Sequence, residues 1–240
     1  MKRALAVLIV AVSVLAAGAG AQDSSTLLER LNAERQAGGL SPLLWDPTLG
    51  ATAEAYASDL AARGVLSHRD PSGGSALDRY HQRGGTAVLV GEVLGSGPSV
   101  AAVLAAWALS PSHRDTLLDG RWTHVGAGRA LLAGGAELWV AMFSRLLVEG
   151  LQVRAAPDGL SLEGHLAAAA AGMPQLLSGT QVLQPELWQP AERRFRFLVP
   201  AARGGLYHRL GYVGPDGRLR ITDVLFPARL LTSARETEPR

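Results

Sequence analysis

The sequence predicts an α+β fold, in which a layered domain of helices and strands is followed by a small, sandwich-like, all-β domain. Between residues 24 and 144, helix-starting residues and apolar repeats at helical spacing alternate with short apolar runs typical of strands. After residue 149, apolar and polar residues alternate around two Pro-Asp-Gly turns, as in β-hairpins. Because the helices and strands do not follow a regular βαβ repeat, a doubly wound parallel sheet is not expected.

The first 21 residues have the pattern of a secretory signal peptide. Lys2 and Arg3 precede an apolar run that is shorter than the roughly 20 residues needed to cross a bilayer, and Ala19-Gly20-Ala21 supplies small residues for cleavage. No later apolar run approaches that length. We therefore expect an exported protein, periplasmic or extracellular, with no transmembrane segment after cleavage.

The charge balance and the lack of cysteine exclude several classes of function. The chain has 23 basic and 21 acidic residues, and loss of Lys2 and Arg3 with the signal peptide makes the two numbers equal. A nucleic-acid-binding surface needs a clear basic excess, so no nucleic-acid partner is expected. Without cysteine, disulfides and thiolate metal sites are excluded, and the fold must depend on its apolar core.

Four main helices are predicted in the first domain from the residues at their boundaries. The second helix is the clearest, because Asp46 suits the N-cap, Pro47 suits the first helical position and Gly64 ends the apolar repeat. The other three helices are expected to begin at Ser25 or Thr26, at Ser75 and at Pro98-Ser99.

Strands are predicted for "TAVLVGEVL" and for the hairpin arms "THVGAGRALL" and "ELWVAMFSRLL", which join around Gly134-Gly135. The glycines of "VGAG" are only superficially similar to a dinucleotide fingerprint, because no helix opens after them, and they indicate tight packing instead. The chain has no H-E-x-x-H, G-x-S-x-G or G-x-x-x-x-G-K motif, so a zincin site, a nucleophile elbow and a P-loop are not indicated.

The second domain is predicted to be a small β module over residues 149–232, and residues 233–240 are predicted to form a frayed tail. Its two hairpins turn at residues 157–159 and 215–217, and "RRFRFLV" forms a strand between them. In that strand Arg194 and Arg196 form either a solvated face or a patch for an acidic glycan or phospholipid. The stretch "LAAAAAGMP" is either a short helix or a loose connection.

Several pieces of the first domain recur together in one family. "LLERLNAERQAGGLSPLLWDPTLGATAEAYASDLAARGVLSH" is followed by "GEVL", then by "AAWALSPSHRDTLLDGRWTHVGAG", and then by "ELWVAMF". In this order the pieces resemble a bacterial member of the CAP superfamily, named for cysteine-rich secretory proteins, antigen 5 and pathogenesis-related-1 proteins. The resemblance implies that residues 22–148 form a CAP-type α-β-α sandwich with a central cleft. It also implies a tetrad of two His and two Glu in that cleft, which often binds a divalent metal such as zinc.

Three tetrad residues are matched in this chain, at His68, Glu92 and His124. The fourth position, a Glu in the eukaryotic members, is Ser110, and the usual Asn after the cleft Glu is Val93. If a metal binds, His68 and His124 are its expected ligands, and two imidazoles leave most of the coordination sphere of zinc to water. We therefore expect weakly bound zinc or another divalent cation, or no metal.

Structural roles compete with these functional ones. His68 and His124 are alternatively hydrogen-bonded polar residues where helix meets sheet. Glu92 lies in an apolar strand, so its carboxylate should pair with a His or with backbone amides. His113 follows Pro111 at the start of a short helix, where packing or capping is expected, and the alternative places it in the cleft beside Ser110.

Three functions are compatible with the sequence, and a binding protein is favoured because no nucleophile has an adjacent base. In this interpretation the cleft holds a metal ion, a small apolar ligand, a lipid or a peptide, and the β domain contacts a cell-envelope partner. The first alternative is a metal-dependent hydrolase that uses His68, Glu92 and His124. The second is a structural scaffold with a vestigial cleft.

Overall fold

The computed structural model describes residues 25–170, 172–201 and 207–225. The predicted signal peptide and the predicted tail at 233–240 lie outside the described residues. The chain divides into two compact units, with described residues 25–85 and 90–144 in the first and the rest in the second. The boundary thus follows Ser144, whereas the sequence predicts it after residue 148, and the short segment 86–89 belongs to the second unit.

The described part of the first unit contains five helices and one four-stranded sheet. The helices are α1 (25–37), α2 (Pro47–Arg63), α3 (Ala76–Gln82), α4 (Val100–Leu109) and α5 (Pro111–Leu117). The strands are β1 (Leu44–Trp45), β2 (Val90–Gly97), β3 (His124–Leu131) and β4 (Glu137–Ser144). Their order across the sheet is β1-β3-β4-β2, and β1 is parallel to β3 while the other pairs are antiparallel.

The helix boundaries follow from local hydrogen bonding, as the sequence predicts. Oδ1 of Asp46 accepts hydrogen bonds from the backbone N–H groups of Thr48, at 2.7 Å, and Leu49, at 3.3 Å, and so caps α2. Gly64 ends α2 in the left-handed conformation, with φ of 65°. Ser75 and Asp78 form a reciprocal capping box at the start of α3.

Helices pack on both faces of the sheet. A Cβ atom added at Gly126 would meet the backbone of α2, whereas one added at Gly95 would meet the side chains of Val103 and Trp107 on α4. Gly126 and Gly95 point to opposite faces, because side chains alternate along paired strands that are in register. The first unit is therefore an α-β-α sandwich, as predicted, with α2 and α4 on opposite sides.

The described part of the second unit consists of two antiparallel sheets, as predicted for an all-β module. The first sheet has the order β5 (Val148–Ala156), β6 (Gly159–Leu166), β10 (Arg194–Pro200) and β9 (Leu187–Gln189). The second has the order β12 (Leu219–Leu225), β11 (His208–Val213), β7 (Pro174–Ser178) and β8 (Gln181–Leu183). Phe195 and Phe197 of β10 are fully buried, and Arg194 and Arg196 form ion pairs with Glu163.

One predicted strand boundary needs correction, and one pair of open alternatives is resolved. The strand predicted from Thr86 begins only at Val90, because Ala87 forms a β-bridge with Asp223 of β12 within the second unit. The described residues of "LAAAAAGMP" contain a turn at Ala167–Ala170 and no helix, which leaves the loose connection of the two alternatives. Within the described ranges, no helix is long and apolar enough to cross a membrane.

Candidate functional site

His68 and Glu92 are in direct contact in the first unit. Nδ1 of His68 lies 2.8 Å from Oε1 of Glu92. Because an ionised carboxylate only accepts hydrogen bonds, Nδ1 carries the proton of this bond. The two side chains differ in exposure, with 60% of His68 and only 3% of Glu92 accessible to solvent. The pair therefore combines a buried carboxylate with an imidazole at the surface.

Arg79 of α3 binds the second oxygen of the same carboxylate. Its Nη2 lies 2.5 Å from Oε2 of Glu92, and its side chain is 9% exposed. Nη1 donates hydrogen bonds to the backbone oxygens of His68, at 3.3 Å, and Gly74, at 3.1 Å. The guanidinium carbon lies 3.4 Å from the ring centroid of Tyr56, a cation–π contact. We call His68, Glu92 and Arg79 the cleft cluster.

The loop after α2 is fixed by its own hydrogen bonds, and this positions His68. The hydroxyl of Tyr56 donates to the backbone oxygen of Ser67 at 2.6 Å. The carboxylate of Asp70 accepts from the backbone N–H groups of Ser72 and Gly74, both at 2.9 Å, in a tight turn. The residues flanking His68 are therefore held in place before any ligand binds.

Glu92 raises the pKa of His68 above its ordinary value of 6.5. The hydrogen bond to Glu92 is the largest cause, because the carboxylate favours the protonated ring, and partial burial opposes the shift. The site therefore favours a positive charge on His68 as the pH falls.

His124 lies on the same face of the sheet as Glu92 but farther along it. The register pairs His124 with Ser144 and Ser144 with Val90, and Glu92 is two residues beyond Val90. Two strand spacings and a shift of two residues separate the Cα atoms of His124 and Glu92 by roughly 12 Å. The Nδ1 atom of His124 lies 2.9 Å from the hydroxyl oxygen of Thr123. The structure therefore joins His68 to Glu92 directly and places His124 on the same face.

Ser110 and His113 lie near the junction of α4 and α5. Ser110 is the N-cap residue of α5, and its hydroxyl oxygen is 3.4 Å from that of Ser112. His113 is half-buried on α5. None of the described hydrogen bonds connects either residue to the cleft cluster, so the fourth position of the tetrad contributes no carboxylate and no direct contact.

The residues present do not fit a metal held by three or more protein ligands. Among the residues that the structure describes, no group of three or more His, Cys, Asp or Glu is arranged to hold a metal ion. Both oxygens of Glu92 are already bonded, one to His68 and the other to Arg79. Zinc binding by His68 and His124 stays a prediction.

A groove of about 660 Å³ lies between α2, the loop at 70–72 and α3. It reaches the cleft cluster, since Arg79 and Tyr56 line it. Its polar lining carries both signs of charge, with Asp59 on α2, Asp70 in the loop and Arg83 directly after α3. Such a lining suits a ligand that offers both hydrogen-bond donors and acceptors.

Arg79 and Tyr56 are the members of this site that the sequence analysis missed. A signal for Arg79 existed, because a buried carboxylate needs a partner and Lys2 is the only lysine in the chain. The partner of Glu92 therefore had to be sought among His and Arg residues, and Arg79 lies on a short helix whose neighbouring Tyr80 is buried.

The sequence of the first unit is similar to known proteins. A model of the cysteine-rich secretory protein family (CAP) matches residues 28–143. The uncharacterized protein YkwD of Bacillus subtilis is 32% identical over 118 residues, which are 49% of this chain and 45% of that protein. An uncharacterized protein of Borreliella burgdorferi is 27% identical over 124 residues, which are 52% of this chain and 79% of that protein. The chain thus spans less than half the length of the Bacillus relative.

Two solved structures also match about half of this chain. An outer surface protein from Borrelia burgdorferi has a TM-score of 0.49 and 27% identity, covering 52% of this chain and 92% of that one. An extracellular protein containing an SCP domain, from Bacillus anthracis, has a TM-score of 0.48 and 24% identity, covering 52% of this chain and 41% of that one.

Proposed function

Residues 28–143 form a domain of the cysteine-rich secretory protein family, and on this basis we propose that the chain is an exported binding protein without enzymatic activity. In this proposal the cleft cluster and the adjoining groove hold a short peptide. The bonding of Glu92 is the observation that carries the proposal. A general base must be able to accept a proton from water or substrate, and both oxygens of this buried carboxylate are engaged.

His68 supplies the exposed polar group that a binding site needs. Because its Nδ1 donates to Glu92, its Nε2 is the ring atom left for a ligand: it accepts a hydrogen bond when the ring is neutral and donates one when the ring is protonated. Glu92 and the fixed loop hold the ring in one orientation, so little side-chain entropy is lost when a ligand binds. This arrangement supports recognition of a ligand through a hydrogen bond to His68.

The groove supports a peptide rather than a purely apolar ligand. Its acidic groups, Asp59 and Asp70, already have partners in Arg63 and in the loop, whereas Gln82, at the end of α3, and Arg83, its C-cap residue, are exposed. Peptide carbonyl groups and a terminal carboxylate would accept hydrogen bonds from such donors. Contact between the second unit and a cell-envelope partner remains a separate prediction.

Peptide binding is tested by NMR titration of the protein lacking residues 1–21 with a defined mixture of short peptides. We expect saturable shifts in signals from α2, α3 and the loop around His68, and at least tenfold weaker binding for His68→Ala. His165→Ala removes an exposed histidine from the second unit and serves as the matched control. Peptide cleavage, or shifts that do not depend on His68, would contradict the proposal, and binding of zinc or phospholipid vesicles alone would replace it.

Export is tested by expressing the full chain in a bacterial host and fractionating the cells. We expect the protein outside the cytoplasm with residue 22 as its new N-terminus, because residues 1–21 have the pattern of a signal peptide. Replacement of both Lys2 and Arg3 by Glu should keep the chain in the cytoplasm. Cytoplasmic retention of the unaltered chain, with residues 1–21 still attached, would disprove export.

A further inference from the structure

We propose that Arg79 is the resident cation of the cleft cluster, which balances the charge of Glu92 and prevents a divalent metal ion from using this carboxylate. Which cation the site holds does not depend on the identity of the ligand. All the contacts that hold Arg79 lie within the first unit.

Glu92 requires a positive partner, and Arg79 provides it. Both side chains of the ion pair are less than one-tenth exposed, and a carboxylate so buried is retained in its charged form only when it is paired. His68 is largely exposed and carries a charge only when protonated. The guanidinium is always protonated, so it is the permanent counter-charge.

Arg79 is also held by groups other than Glu92. Its Nη1 donates to the backbone oxygens of His68 and Gly74, and its guanidinium is stacked on Tyr56. These contacts come from α2 and from the loop, so they hold the guanidinium in place independently of the ion pair with Glu92. A metal ion could not displace it from Glu92 without breaking this framework as well.

The framework has a direct consequence for metal binding. A divalent ion that reached Glu92 would meet a guanidinium bonded to the same carboxylate, and like charges at such distances repel each other. The ion would also find no third side chain, because the described residues contain no suitable group of three. Removal of the positive charge at position 79, with the shape of the side chain kept, should instead leave an unpaired carboxylate beside His68, which is a pair that zinc can use.

The test is calorimetric titration with zinc chloride alone on the protein lacking residues 1–21. We expect no saturable binding below about 1 mM for the unaltered protein or for Arg79→Lys, which keeps the charge. Arg79→Met should bind zinc at least tenfold more tightly, and the added substitution Glu92→Gln or His68→Ala should abolish this gain. Tight zinc binding by the unaltered protein that is lost in His68→Ala or His124→Ala would overturn the proposal, as would a folded Arg79→Met variant that binds no better.

A second measurement keeps the test decisive if Arg79→Met fails to fold. The Nε–H signal of Arg79 in the unaltered protein reports the guanidinium directly by NMR. Zinc chloride at millimolar concentration should leave this signal in place, and a saturable shift or its loss would overturn the proposal. Because neither experiment uses a peptide, failure of the proposed peptide-binding function would leave both results interpretable.

Discussion

Replacement of Gly128 by alanine is expected to destabilise the first unit by roughly 3 kcal/mol or more. A Cβ atom at this position would lie 2.1 Å from both the backbone N and the Cα of Glu54, and 2.6 Å from the carbonyl carbon of Ala53. These are main-chain atoms in the middle of α2, so no side-chain rotation can relieve the overlap. The helix would have to move away from β3 and open the core between them.

The measurement is urea unfolding of the unaltered and variant proteins, followed by tryptophan fluorescence. Gly134→Ala is the matched control, because Gly134 lies in the turn between β3 and β4 and an added Cβ would meet nothing within 4 Å. This control should remain within about 0.5 kcal/mol of the unaltered protein. If Gly128→Ala were equally mild, the close approach of β3 to α2 would be wrong.

The same contact explains the "VGAG" segment. Gly126, two residues earlier on the same face, would place a Cβ atom 2.1 Å from the backbone N of Gly50. The glycines therefore let a strand and a helix approach at the backbone, which is the tight packing that the sequence indicates, and they have no part in a phosphate site. Because Glu92 shares this face, the approach also sets the position of α2 relative to the cleft cluster.

Local chemistry determines which parts of the fold the sequence predicts. Asp46, Pro47 and Gly64 act within a few residues of themselves, so the boundaries of α2 can be read from the chain. The start of β2 could not be predicted in this way, because Ala87 pairs with Asp223, which is far along the sequence. The strands β7, β8 and β9 have only five, three and three residues, which are too few to show the alternation that identifies a strand in the sequence.

The candidate site could likewise be predicted only in part. Resemblance to the family indicated His68, Glu92 and His124, and physical reasoning added that Glu92 must have a partner. The identity of the second partner depends on the packing of α3 against α2 and β2, which no local pattern specifies. Arg79 can therefore be identified as a partner of Glu92 only from the three-dimensional arrangement of the helices and the sheet.

Asp223 is expected to make the second unit less stable as the pH rises from 4 to 7. Its side chain is almost fully buried, Oδ1 accepts a hydrogen bond from the hydroxyl of Thr86 at 2.6 Å, and Oδ2 has no hydrogen-bond partner among the described residues. Burial raises the pKa of Asp223 to about 6 from an ordinary value of 3.8. The folded state therefore binds more protons than the unfolded state between these two values, so the contribution of Asp223 to stability falls across this window and is constant above it.

Asp223→Asn removes this titration while keeping the shape of the side chain and the acceptor for Thr86. Relative to the unaltered protein, the free energy of unfolding of this variant should rise by roughly 2 to 3 kcal/mol between pH 4 and pH 7. Any pH-independent loss of unfolding free energy caused by the new amide cancels in this comparison, because it is present at both pH values. Asp158→Asn, which removes an exposed carboxyl group from the same unit, controls for the change in net charge. The measurement is urea unfolding at the two pH values. If the free energy of unfolding of Asp223→Asn differs from that of the unaltered protein by the same amount at both, the buried carboxyl group does not titrate in this range.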